Sequence, residues 1–163
     1  MAGCASLASE SVHNFQSLAD KFDFSRYRTL CGVGGAAGLL SIVLARKYGR
    51  LNCVSIDVPA ATQIAQRKII TAGLSGRVTA RAIDFFAEPL PNADVITMGI
   101  ILHDWNLDKK IHLVRTAFDA LPPGGAFIVI ENLIDDARRE NVFGLVIGRQ
   151  NDNQEAHENC RRR

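Results

Sequence analysis

The 163-residue chain is 47% hydrophobic and 22% charged, proportions of a globular domain that buries roughly two-thirds of its unfolded surface without a metal or disulfide staple. Its 19 Lys and Arg against 17 Asp and Glu leave a formal charge of only +2, too small a balance to make nucleic acid the expected partner. The opening MAGCASLASE lacks a basic leader ahead of an apolar run, and no stretch reaches the length of a membrane span, so no membrane partner is expected either.

In chain order, residues 1–23 read as a polar, helix-capable lead-in. TLCGV (Thr29–Val33) then has the character of a buried strand, and it runs into Gly32, Gly34, Gly35 and Gly38 before LLSIVLARKY, which has helical length and a basic last turn. LNCVSID (Leu51–Asp57) is the second strand, with Pro59 suited to the first turn of a helix that Gly73 stops. RVTARAI is the third strand and ADVITMGI (Ala93–Ile100) the fourth. Asn106 can cap a helix over LDKKIHLVRTAFDAL that halts at Pro122, Pro123 and the Gly124-Gly125 turn, and AFIVIENLI is the fifth strand. A further helix is expected from Arg138 to Gly148, and residues 149–163 form a polar tail that cannot bury apolar surface and is expected to be disordered. This alternation of strand and helix is the pattern of a parallel sheet covered by helices.

Cys4, Cys31, Cys53 and Cys160 show no metal-ligand spacing, so no metal is expected. Cys31 and Cys53 fall inside apolar strands, which favours free buried thiols and a reducing, cytoplasmic setting.

The glycines between the first strand and first helix let backbone approach a ligand, with unpaired N–H groups of the helix terminus beneath. Gly32-Val33-Gly34-Gly35-Ala36-Ala37 also fits the loose dinucleotide fingerprint, so the glycines alone leave a nicotinamide cofactor and S-adenosylmethionine both open. Asp57, ending the second strand, can accept from ribose hydroxyls or cap the helix that follows. Asp84 can meet an adenine amino group with Phe85 or Phe86 against the ring, or simply cap a turn beside core phenylalanines. His103 lies just past the fourth strand, where ligands of doubly wound sheets collect, and an imidazole suits removal of a hydroxyl proton during methyl transfer. Glu131, at the end of the fifth strand, is placed to orient that imidazole through its other nitrogen.

Four segments in order, GVGGAAG, SIDVP, IDFF and ILHDW, resemble the glycine loop, ribose motif, adenine motif and catalytic segment of the plant, animal and bacterial small-molecule O-methyltransferases. The resemblance runs from Phe22 to about Gly148. It implies an α/β fold, a three-layer sandwich around a mainly parallel, doubly wound sheet of order 3-2-1-4-5 (Rossmann-like, class I methyltransferase), without the last two strands. It implies S-adenosylmethionine as cofactor, approached by Gly34, Gly35, Gly38 and Gly99, with Asp57 and Val58 at its ribose and Asp84 and Phe85 at its adenine. It implies His103 as base, flanked by Asp104 and Glu131, acting on a hydroxyl of a small aromatic or polyketide-like acceptor, in a protein that is a homodimer at full length. The chain departs from the pattern at Gly32, where the family carries an acid, and at Ala36 and Ala37, where it carries glycine and threonine. Residues 24–148 are thus expected to be a cofactor-binding domain, truncated at both ends relative to the family. A catalytically weak cofactor-binding remnant is the rival reading. A nicotinamide-dependent oxidoreductase is a lesser one, because Tyr27 and Tyr48 sit away from the switch point.

Overall fold

The computed structural model describes residues 3–131, with side chains from residue 12 onward. The helix expected over 138–148, the tail from 149 and the question of further strands lie outside the described residues. The elements are α1 (Gly3–Lys21), β1 (Thr29–Val33), α2 (Leu39–Lys47), β2 (Asn52–Asp57), α3 (Pro59–Thr71), β3 (Val78–Ala82), β4 (Val95–Gly99), a single 3-10 turn (Leu102–Asp104), α4 (Leu107–Ala120) and β5 (Ala126–Ile130).

Local chemistry sets several of these boundaries. Pro59 occupies the first turn of α3, where its missing N–H costs nothing, and Gly73 follows at φ +70°, a left-handed turn that ends the helix. The Asn106 side chain accepts from the Lys109 N–H and caps α4, an interaction worth about 1 kcal/mol. The last carbonyls of α1 are taken by α2 and its C-cap: the Lys47 ammonium donates to Ala19 O (2.7 Å), and the Tyr48 hydroxyl lies 2.8 Å from Ala19 O and 3.1 Å from Phe22 O. This ties α1 to α2.

Among the described residues the four strand pairings are parallel, in the order β3-β2-β1-β4-β5, the order that the sequence led us to expect. The strands are a little shorter than their apolar runs: the Leu51 and Arg77 amides donate into turns, to Tyr48 O and Leu74 O, while the Ile83 and Ile100 amides make one last bond each to the neighbouring strand, to Asp57 O and Ile130 O. One face of the sheet buries Leu30, Cys53, Val78 and Val95 against Ala19, Leu40, Leu44 and Ile69 of α1, α2 and α3. The other buries Cys31, Val33, Ile56, Ile96 and Met98 against Leu113 and Ala117 of α4. Each fully buried Leu or Ile contributes about 1.5–3 kcal/mol, so Leu113→Ala would cost about 2–5 kcal/mol through transfer and cavity terms. Cys31 and Cys53 are both free thiols on opposite faces, and burial pushes each up to about 12.

Two features place the site. At the amino ends of the strands, Asp94 Oδ2 accepts the Arg28 and Thr29 amides (2.7 and 3.0 Å) while Thr29 Oγ1 accepts the Asp94 amide (2.9 Å), clamping β1 to β4. Midway along, Ser55, Gly32 and Thr97 stand in register on β2, β1 and β4. They form a row of small or polar residues on the α2 face of a sheet that is otherwise apolar there.

Candidate cofactor cavity and catalytic segment

A cavity of about 270 Å³ opens over that row, at the carboxyl ends of β1 and β4 where the winding of the sheet reverses. Its wall is the glycine loop from Gly32 to Ala37; α2 contributes Leu39, Leu40 and Ser41, β4 and its end contribute Thr97, Gly99 and Ile100, and Phe15 reaches in from α1. The loop needs glycine at two positions for reasons of close approach. A Cβ on Gly34 would sit 2.0 Å from Ile101 Cδ1, and one on Gly35 2.1 Å from Ser55 Oγ. Gly38 is the N-cap of α2, and that helix start has no side-chain cap. A helix start of this kind favours an anion, and its first turn, Leu39 to Ser41, borders the cavity.

Asp57, at the end of β2, accepts the Ala36 amide on Oδ2 (2.7 Å) and the Val58 amide on Oδ1 (2.7 Å). It therefore holds the loop, with Ala36 at φ 44°, as well as lying where a ribose could be received; it does not cap α3, whose N-cap is Val58. Val58 is exposed. Asp84 caps its own turn, accepting from Phe86 N–H (3.0 Å), and its own amide donates to Glu88 Oε1 (3.1 Å). Phe85 is buried in the core, whereas Phe86 is half-buried, its ring edge-on to Trp105 with centroids 4.7 Å apart. Of the residues expected at a cofactor, Gly34, Gly35 and Gly99 line the cavity; Gly38, Asp57, Val58, Asp84 and Phe85 stand outside its wall.

The segment that carries His103 is built around one carboxylate. Glu131 Oε1 accepts the Ile101 and Leu102 amides (2.9 and 2.7 Å), and Oε2 lies 2.8 Å from His103 Nδ1. Asp104 Oδ1 lies 3.2 Å from the other ring nitrogen, Nε2. Glu131 is the most enclosed of the three side chains at 15% exposure, against 24% for His103 and 48% for Asp104. The turn that delivers His103 is strained: Ile100, β-branched, sits at φ 55°, a conformation costing on the order of 1–3 kcal/mol. The Ile100 amide bonded to Ile130 O (2.8 Å) and the two amides bonded to Glu131 hold it there.

Sequence reasoning reached the glycines and the His103 and Glu131 pairing but passed over Phe15, Ser41, Thr97 and Ile100. A polar residue in the middle of the buried run ADVITMGI was the available signal for Thr97. Nothing local marks Phe15, because α1 acquires that position only by packing on α2. Among the described residues no helix is long and apolar enough to cross a membrane.

The geometry agrees with comparisons to known proteins. Residues 4–148 match the family model of the O-methyltransferase domain. The chain is 38% identical over 122 residues to a 3-hydroxy-5-methyl-1-naphthoate 3-O-methyltransferase of Streptomyces sahachiroi, covering 74% of this chain and 35% of that protein. It is 35% identical over 122 residues to the N,N-dimethyltransferase OxyT of Streptomyces rimosus, covering 75% and 36%. Among solved structures, human N-acetylserotonin methyltransferase in complex with SAM superposes with a TM-score of 0.71 at 30% identity, covering 83% of this chain and 39% of that one. The chain thus spans about a third of the length of the curated relatives it matches. With the parallel sheet, the cavity at its switch point and the family model over most of its length, the chain belongs to the O-methyltransferase family.

Proposed function

We propose that this chain carries the cofactor-binding and base-bearing part of an S-adenosylmethionine-dependent methyltransferase acting on a hydroxyl of a small aromatic or polyketide-like acceptor. The observation that carries the reading is the pairing of a cavity at the β1/β4 switch point with a carboxylate-oriented histidine on the turn that leaves the same strand β4. Family membership and relatives named for naphthoate and other aromatic substrates support the acceptor class.

The residues present fit such a cofactor. The uncapped start of α2 suits a carboxylate, the loop amides and glycines suit close backbone approach, and Asp57 offers acceptor oxygens at the end of β2. When bound, the sulfonium supplies an electrophilic methyl group. The chain's own part is to position and to move one proton. With Glu131 accepting from Nδ1–H, the imidazole holds its lone pair on Nε2, and that nitrogen takes the acceptor's hydroxyl proton. Asp104, 3.2 Å from Nε2, stabilises the imidazolium once the proton arrives. Asp84 and the Phe85-Phe86 pair border the adenine end in this reading.

Calorimetry with S-adenosylhomocysteine against reduced nicotinamides tests the cofactor, since tighter nicotinamide binding would sink the assignment. Labelled methyl donor with paired phenol and amine panels tests the acceptor atom, and methyl incorporation into amines alone would move the reading to nitrogen. The reading includes a homodimer, tested by sedimentation, and a reducing compartment, for which the free buried Cys31 and Cys53 speak.

A further inference from the structure

Helix α4 carries two apolar faces, and the core uses one of them. Leu113, Ala117 and Ala120 are buried against the sheet. Leu107, Ile111, Val114 and Phe118 recur at spacings of four, three and four residues, which lines them up along another side of the same 14-residue helix. All four are exposed, Leu107 at 69% and Phe118 at 77%. Single exposed apolar side chains are ordinary, but four in one row among charged neighbours have the spacing of a helix-pairing seam. Val129 of β5, on the same face of the sheet as Phe127, adds another exposed apolar side chain on the α4 side.

We propose that this stripe is an interface with a second copy of the chain, in which two α4 helices pack antiparallel about a two-fold axis. The charges beside the stripe choose both the partner and the orientation. Asp108 and Arg115, both exposed, flank it on one side and Lys110 on the other. Among the described residues neither Asp108 nor Arg115 has an ion pair. In the antiparallel pair Leu107 meets the second copy's Phe118 and Ile111 meets its Val114, each contact occurring twice. The same operation sets Asp108 opposite the second copy's Arg115, also twice. A parallel pair would instead face Lys110 with the second copy's Arg115, giving two like-charge contacts. The row is thus complementary to itself when antiparallel, as an isologous interface requires. The seam is short, so the association is weak and concentration-dependent. None of these side chains lines the cavity, and the inference does not depend on the methyl-transfer reading.

Sedimentation of the full chain over a concentration series tests it, with Ile111→Asp, Arg115→Asp and the double exchange of Asp108→Arg with Arg115→Asp. The unsubstituted chain should show a monomer–dimer equilibrium, and Ile111→Asp should abolish it. Arg115→Asp sets two acids face to face and should weaken the dimer about tenfold or more. The double exchange restores opposite charges and should recover most of the affinity. S-adenosylhomocysteine binding, and the thermal midpoint at a concentration where the parent is monomeric, should stay close to the parent's in every variant. A chain still monomeric at about 1 mM, a dimer that survives Ile111→Asp, or a double exchange that fails to restore what Arg115→Asp removes overturns the proposal. A monomeric chain whose midpoint Ile111→Asp lowers sharply overturns it in favour of a covering segment of the same chain, such as the apolar run at 142–147. Failure of the unsubstituted chain to bind S-adenosylhomocysteine overturns the methyl-transfer reading and leaves this interface standing.

Discussion

Glu131 joins two strand ends through one carboxylate: Oε2 lies 2.8 Å from His103 Nδ1, and Oε1 takes the amides of Ile101 and Leu102. Because those two N–H donors can only be met by an acceptor, they also fix which way a glutamine would sit there. In Glu131→Gln the amide oxygen must face the backbone and the NH2 must face His103. The imidazole then accepts at Nδ1 and carries its proton on Nε2, the opposite tautomer. We expect methyl transfer to fall by about 10²-fold or more, within the range of general-base catalysis, with little change in thermal midpoint. Nitrogen NMR of the ring reads the tautomer directly, and an unchanged tautomer would refute the argument.

His103→Ala removes the proposed base without touching the cavity wall. Turnover should drop about 10²–10⁴-fold while affinity for S-adenosylhomocysteine stays close to that of the parent. Activity indifferent to the substitution would assign the proton to another group.

Asp57→Ala removes both the proposed ribose contact and the acceptor of the Ala36 amide. Cofactor binding should weaken by about 1.5–3 kcal/mol, as for hydrogen bonds to a charged group. Hydrogen exchange at Ala36 should accelerate even without ligand. Slow exchange in the variant would show that the loop is held by its glycine packing alone.

Burial pushes the Cys31 and Cys53 thiols from an ordinary 9.0 up to about 12. The folded state therefore keeps protons that the unfolded state releases. The associated stability is complete below pH 9 and is lost progressively as pH rises from there towards 12. Denaturant titrations between pH 8 and 10.5 should show a shallower decline in a Cys31→Ala, Cys53→Ala chain, whose stability is lower at every pH. In the native protein at pH 8 both thiols should resist alkylation, read by mass spectrometry.

Asp94 works in the opposite direction. The Arg28 amide, and after it the Thr29 amide and side chain, hold its carboxyl below the usual carboxylate range. Its contribution is present above pH 3.8 and fades as pH falls through the lowered value. Asp94→Asn should lower the thermal midpoint at pH 7 and flatten its fall in acid. The effect is modest, since the group is largely solvated.

The sequence alone determined the class of fold, because a strand buried on both faces must be a continuous apolar run and its covering helices must follow at helical period. It also determined the glycine loop and the Asn106 cap, since each depends on residue type at a strand end or helix start, and the expected strand order made the meeting of His103 with Glu131 legible. What only the tertiary structure decided are the relationships across strands. Thr97 is one polar residue in an apolar run until β4 lies in register with β1 and Gly32 leaves a space beside it. Asp57 reads as a ribose acceptor or a helix cap, and only the folded loop brings the Ala36 amide to it. Phe15 is an ordinary apolar residue of α1 until Lys47 and Tyr48 fasten that helix to α2. Local propensity acts over a few residues, whereas hydrogen-bond partners and cavity walls are set by which distant segments share a face of the sheet.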